Sequence, residues 1–312
     1  MGDLVNKIRL GTRASRLALA QVAEIHLLIA EHFPQIAIEI VPITTSGDKA
    51  LDKNLAEIGG KGLFIKELEE ALLSNQIDIA VHSAKDMPPI LHEQTEIKAF
   101  TNRFDHRDCF VSNKYPSFKK LPKNAIIGTS SARRKAFILK HRPDINVVNF
   151  RGNIDTRLNK IFDNEVDGAI LAVSGLLRLG KENKVLQAFE VSQIVPAGGQ
   201  GALALQVRKS DHHLTNILQK INHLDTQICV KTERSFLREL GASCTTPVGA
   251  FAYIENNKLF FKTAIIDYDG SEIFETNFKC KASLEEGIKI GIKAGIETKQ
   301  KAHKLLKKII QN

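Results

Sequence analysis

The sequence predicts a doubled α/β architecture with a small α+β tail, and three observations carry that reading. One device occurs twice: Ile8-Arg-Leu-Gly-Thr-Arg-Ala-Ser-Arg16 and Ile126-Ile-Gly-Thr-Ser-Ser-Ala-Arg-Arg134 both run a strand into Gly-Thr, then into hydroxyl residues and arginines. Strand-like and helix-like runs alternate as far as Val173, which argues for a parallel or mixed sheet flanked by helices. Beyond Ala202 the pattern changes to an amphipathic helix, three alternating strands and a long last helix.

Taken in order, Leu17, Val22, Ile25, Leu28 and Ile29 predict a helix that ends before Pro34, and Ala37–Thr44 reads as a β-branched strand. Gly59-Gly-Lys-Gly62 is a loop but not a P-loop, since the spacing and the Lys-Ser/Thr ending are missing. A helix with Phe64, Leu68, Ala71 and Leu72 follows, then a short buried strand Asp78–His82 and the loop Ser83–Pro88. The second set is a strand Ala125–Thr129, a helix to about Leu139, a strand Asn146–Phe150, a helix from Asn153 and a strand Gly168–Val173. Val195–Ala202 is rich in turn formers and reads as a linker or hinge. Asp225–Leu240 is a helix stopped by Gly241. The three strands turn at Asn256-Asn257 and Asp269-Gly270, and Ser283-Leu-Glu-Glu286 is a capping box that opens the last helix.

At 312 residues the chain has room for two or three domains with cores of their own. The N-terminus lacks a basic-then-apolar signal, Asn6 spoils a myristoylation match, and the uncharged apolar run Ala169–Leu177 is too short to span a bilayer. The expectation is a cytoplasmic protein without a membrane partner. The net charge of +9 invites nucleic acid, but there is no Trp, Tyr is scarce, and no aromatic residues interleave the basic ones. Lys299, Lys301, Lys304, Lys307 and Lys308 read instead as a solvated face of the last helix. Cys109, Cys229 and Cys280 fall in core-like patterns, and no cysteine has metal-type spacing, so no metal is expected.

A strand running into a helix start exposes unpaired N–H groups and the positive end of the helix dipole, a natural anion site. Thr12, Ser15, Thr129, Ser130 and Ser131 add neutral donors there. Arg13, Arg133, Arg134, Arg151, Arg157 and Arg178 all fall just beyond strand ends, on the side of an α/β sheet where ligands bind. One such arginine could be a surface ion pair; six at equivalent places point to a polyanion. Asp86 follows a buried strand; it could cap a helix or pair with Lys85, or it could face a cationic part of the substrate. His82 reads as a packed core histidine. Cys244 lies in a loop between a helix stop and a strand start, where a thiol can be a nucleophile, a covalent anchor or a quiet structural group. No His partner is evident, which favours the anchor over a protease-type dyad.

Arg9–Gln21, Gly59–Leu68, His82–Pro88, Gly128–Arg134, Arg151–Arg157, Pro196–Leu203 and Glu233–Gly249 together resemble the porphobilinogen deaminase (hydroxymethylbilane synthase) family, in the family's order. The resemblance implies stepwise head-to-tail condensation of four porphobilinogen molecules, with loss of ammonia, onto a dipyrromethane cofactor, then hydrolytic release of hydroxymethylbilane. It implies a thioether to Cys244 and a catalytic Asp86 that stabilises an azafulvenium cation. Cofactor contacts map to Lys85, Ser83, Thr129, Ser130, Ser131, Arg133, Arg134 and Arg157, and substrate contacts to Arg13, Ser15, Arg151, Arg178, Gln200 and Phe64. The arginines are expected to form a carboxylate cradle that can be trimmed without loss of the fold. Also implied are a monomer and two periplasmic-binding-protein-like α/β domains joined by two crossovers, plus a C-terminal α+β domain with a three-stranded antiparallel sheet. The expected boundaries are 1–101 with 197–219, 102–196 and 220–312. One departure is Ala242, where the family's cysteine loop has Gly, so a positive φ there would be strained. A ligand-binding protein of the same two-domain fold is the alternative.

Overall fold

The computed structural model describes residues 6–45, 65–243 and 245–311. The chain forms two compact units, Met1–Arg103 with Ala202–Gln227 and Phe104–Gly201 with Ile228–Asn312. The first unit opens with β1 (Lys7–Arg13), α1 (Arg16–His32), β2 (Ala37–Ile43), α2 (Lys66–Leu73), β3 (Ile79–Ser83) and β4 (Thr95–Phe100). The second takes β5 (Asp108–Val111), β6 (Ile126–Gly128), α3 (Ala132–His141), β7 (Asn146–Val148), α4 (Ile154–Phe162), β8 (Gly168–Ala172), α5 (Val173–Arg178) and β9 (Gln187–Ala188). The chain then returns to the first unit with β10 (Leu203–Arg208) and α6 (Thr215–Ile221).

The two α/β sheets repeat one plan. The first has the order β2-β1-β3-β10-β4, the second β7-β6-β8-β5-β9. In each, a central strand (β1 or β6) lies parallel to both neighbours, and the strand that enters from the other unit (β10 or β5) runs antiparallel to both of its own. Parallel neighbours require crossover connections, which α1, α3 and α4 supply. The two sheets match each other strand for strand, so the doubling predicted from the sequence is present.

Gly11 and Gly128, the glycines of the repeated device, are fixed by close approach. A Cβ on Gly11 would collide with Ile77, and one on Gly128 with Phe150. Around the first sheet, Ile8, Leu10, Ile79, Val81 and Leu205 pack on Val22, Ile25 and Ile29 of α1 and Leu218 of α6. Each such burial contributes about 1.5–3 kcal/mol, and the repeat of the pattern at i, i+3, i+4 and i+7 is what makes α1 a helix. Around the second sheet, Phe110, Ile127 and Ile170 pack on Ala136, Phe137 and Ile138 of α3.

Beyond these, α7 (Leu224–Leu240) leads into β11 (Val248–Glu255), β12 (Lys258–Ile266) and β13 (Ile273–Lys281), a three-stranded antiparallel sheet backed by α8 (Leu284–Lys301) and α9 (His303–Gln311). Asn256 and Asn257 both have positive φ, at 49° and 58°, as a two-residue hairpin turn requires. Ser283 caps α8 by accepting the Glu286 N–H. The expected single last helix is two, parted at Ala302. Of its five lysines, Lys299 pairs with Glu239, Lys301 with Glu297 and Lys308 with Asp267.

The turn-rich stretch expected as a linker does carry the chain from the second unit back to the first, between Gly201 and Ala202, and it is buried as well. Val195, Gln200 and Ala202 are buried, and Glu233, itself fully buried, accepts the Gly199 and Ala252 N–H groups. Its glycines permit close packing as well as turning: a Cβ on Gly198 would meet Leu237 at 2.8 Å. Cys109 and Cys229 are buried and Cys280 is half-buried, as their patterns suggested. Among the described residues, no helix is long and apolar enough to cross a membrane.

Candidate active site

In an open α/β sheet, ligands collect at the carboxyl ends of the strands where the connections diverge. In the first unit that point lies between β1 and β3, which pair in parallel with Gly11 opposite Ala80. β1 ends on Arg13, and Ser15 caps α1 by accepting the Ala18 N–H at 3.3 Å. β3 ends on Ser83, after which Ala84–Asp86 make one 3-10 turn. Gln21 of α1 donates to Ser83 Oγ at 2.8 Å, tying the helix start to that turn. The turn is anchored by the Ala84 N–H on Ala202 O at 3.0 Å.

Asp86 is exposed at the last position of the turn. Among the described residues its carboxylate has no hydrogen-bond or ion-pair partner, so it is neither a helix cap nor a partner of Lys85. His82 is fully buried, with Nε2 at 3.0 Å from Gln206 Oε1. Burial, and to a lesser extent the charge of Arg13, push its pKa down to about 4. It is a neutral core histidine at neutral pH, as its strand position suggested.

The corresponding edge of the second unit is built from the loops after β6, β7 and β8. Ser131 caps α3 by accepting the Arg134 N–H, and Thr129 Oγ1 accepts the Ser131 N–H. Ser130 Oγ bonds Asn149 Oδ1 at 2.5 Å and accepts the Phe150 N–H, stitching the β6 and β7 loops together. Arg151 follows directly and is half-buried; Arg157 stands in the first turns of α4, whose cap is Asn153. Arg178 ends α5, with its guanidinium 4.2 Å from the Phe104 ring centroid and Nη2 donating to Gly201 O.

Arg133 and Arg134 are arranged differently from the expected trimmable cradle. Arg133 Nη1 donates to Asp108 Oδ2 at 2.7 Å and to Val195 O, and Arg134 holds Asp108 Oδ1 through Nε at 2.9 Å and Nη2 at 2.8 Å. Asp108 is fully buried, and its two arginines hold its carboxyl well below the usual carboxylate range despite that burial. Removing one partner from such a cluster leaves a buried charge uncompensated, at about 3–5 kcal/mol. The expectation that Arg133 can be replaced without harm to the fold is therefore corrected. Gln200 is also part of this cluster: at 0% exposure it donates to His106 O at 2.7 Å and to Asp108 Oδ1 at 3.0 Å. It acts as a strut for the arginine pair.

Sequence reasoning missed Asp108, Gln21 and Glu233, because a lone acid or amide in a strand or helix carries no local pattern. Cys244, Lys61 and Phe64 lie outside the described residues. Ala242 does not have positive φ; that conformation falls on Gly241, at 73°. The half-buried and exposed donors Ser130, Ser131 and Arg151 of the loops, with Arg157 of α4, fit a ligand that carries carboxylates, as a dipyrromethane does.

Each α/β half thus ends in a cationic, hydroxyl-rich edge, which defines a protein that handles an anionic small molecule. Residues 8–216 match the family described as porphobilinogen deaminase, dipyromethane cofactor binding domain, and residues 227–300 match its C-terminal domain. The chain is 47% identical over 290 residues to the porphobilinogen deaminase of Rickettsia bellii (strain OSU 85-389), covering 92% of this chain and 97% of that one. It is 44% identical to the protein of that name from Alkaliphilus metalliredigens, covering 86% and 85%. The chain belongs to the porphobilinogen deaminase family. Among solved structures it is similar to a putative methionine-binding lipoprotein from Bacillus subtilis (TM-score 0.46, 13% identity, 70% of this chain and 90% of that one).

Proposed function

We infer that this chain is a transferase that joins four porphobilinogen molecules head to tail, releases ammonia at each step, and frees hydroxymethylbilane by hydrolysis. Family membership supports the reaction, and the observation that carries the residue assignment is Asp86, an exposed carboxylate at the switch point of the first sheet. On this reading Cys244 holds the dipyrromethane through a thioether. Ser83, Lys85, Thr129, Ser130, Ser131, Arg133, Arg134 and Arg157 serve it. Arg13, Ser15, Arg151, Arg178, Gln200 and Phe64 serve the incoming substrate. When bound, the dipyrromethane supplies the free pyrrole carbon from which the chain grows.

The protein's own part is positioning and electrostatics. Porphobilinogen carries an acetate and a propionate, and arginine forks at helix starts hold such groups in place. When ammonia leaves the aminomethyl carbon, positive charge spreads to the pyrrole nitrogen. A carboxylate oxygen of Asp86 facing that N–H opposes the charge, by roughly 4 kcal/mol for a 4 Å separation at an effective dielectric near 20. The same oxygen can take up the proton that the free pyrrole carbon loses when it bonds to the methylene carbon.

We further propose three working domains, 1–101 with 197–219, 102–196 and 220–312, each with one of the three sheets. The protein works in the cytoplasm as a monomer, without nucleic acid or a membrane as partner. Incubation with porphobilinogen is the test: oxidised product should fluoresce as uroporphyrin I. A chain that binds porphobilinogen but releases no ammonia is a binding protein, and that result would reject the assignment.

A further inference from the structure

The chain enters the second unit at Phe104 and leaves it after Gly201, and these two positions are bonded to each other. The Phe104 N–H donates to Gly201 O at 3.2 Å. Gly201 has φ +95°, backbone that favours glycine, and its carbonyl also accepts Arg178 Nη2 at 3.2 Å. Arg178, the last residue of α5, lays its guanidinium carbon over the Phe104 ring, 4.2 Å from the centroid. Backbone, ring and guanidinium thus close a triangle on one carbonyl oxygen.

The sides of the triangle do different things. A planar guanidinium over an aromatic ring has its plane set by the stack, and the electron-rich ring face attracts its charge. The bond to Gly201 O fixes its rotation within that plane. The carboxylate next to Phe104 in the chain, Asp105, is held by Arg107, with Nε to Oδ1 at 3.1 Å and Nη2 to Oδ2 at 2.8 Å. Phe104 is 37% exposed, so shortening its side chain opens no sealed cavity of the kind that destabilises a core.

We propose that Phe104 is a positioning residue for Arg178, holding its guanidinium flat so that a substrate carboxylate meets the arginine fork in plane. This rests on the reading of Arg178 as a substrate contact. Two parallel N–H···O bonds between arginine and carboxylate need the two groups nearly coplanar. A long side chain that is ordered only on binding loses rotamer freedom at that moment, and a stack that fixes the plane beforehand reduces the loss. The gain is the same in the ground state and the transition state, since the carboxylate takes no part in the bonds that change. Losing the ring therefore raises KM and leaves kcat where it was.

The test uses the cofactor-loaded protein as wild type, Phe104→Leu, Phe104→Tyr and Arg178→Lys, with KM and kcat for porphobilinogen and Tm measured on each. Phe104→Leu keeps an apolar side chain but loses the aromatic face. Its KM should rise about two- to fivefold, the size of one exposed cation–π contact, with kcat and Tm at wild-type values. Phe104→Tyr keeps the face and should keep the wild-type KM. Arg178→Lys keeps the charge but not the fork, and should raise KM more than Phe104→Leu does. A wild-type KM in Phe104→Leu beside a raised one in Arg178→Lys would overturn the proposal, as would a rise that Phe104→Tyr shares or that follows a fall in Tm. A wild-type KM in Arg178→Lys would instead overturn the reading on which it rests.

Discussion

A carboxylate at a strand end is ordinarily captured by a neighbouring donor, as Asp78 is by Arg9 and Asp108 by Arg133 and Arg134. Asp86 stands apart: it is exposed, beside Lys85 in sequence, and without a partner among the described residues. A catalytic role then demands both its charge and its place. Asp86→Glu keeps the charge but moves it by a methylene, and misplacement of about 1 Å can cost on the order of 10²-fold in rate. Asp86→Asn removes the charge that opposes the cation and should be slower still, with Tm close to wild type because no packing or bonding is lost. Single-turnover ammonia release measured beside Tm decides it; a stable Asp86→Asn protein that deaminates at full rate removes Asp86 from the mechanism.

The elements explain which residues could be read from the sequence. The helix starts near Ser15, Ser131 and Asn153 were legible in position, whereas Ser15 and Ser131, read only as donors to an anion, also cap their helices by accepting backbone N–H groups. Asp108 was not legible, because its partners lie 25 and 26 residues away and only the pairing of β5 with β8 brings them together. β3 carries a further consequence. Its buried His82 has a pKa of about 4, below the roughly 6.5 of an unfolded chain, so the unfolded state binds the proton first as pH falls. This contribution to stability is full above about pH 6.5 and is lost as pH falls toward 4. Between pH 7.5 and 5 the loss is about 2 kcal/mol. His82→Gln should be less stable at pH 7.5 yet lose less of its Tm on acidification to pH 5. Equal losses in the two proteins would mean that His82 is not held neutral by the fold.

Across the whole molecule, the doubled plan was legible because its signal is repeated: two strands, each closed by Gly-Thr and a capped, arginine-bearing helix. The antiparallel entry of β5 and β10 was not, since nothing within a strand of a few apolar residues records its direction. The buried course of Val195–Ala202 was hidden for a related reason, as glycines that permit close packing read the same as glycines that permit a turn. The central claim, that this chain builds its product on a cofactor it carries itself, places one covalent bond on one of four cysteines. The other three lie in strands or helices, where Cys109 and Cys229 are buried; burial pushes the Cys109 thiol up to about 12, far from a reactive thiolate. Intact-mass analysis of the purified protein, followed by peptide mapping, tests the claim most directly. The account predicts a dipyrromethane adduct on the peptide containing Cys244; an active protein of unmodified mass would contradict it.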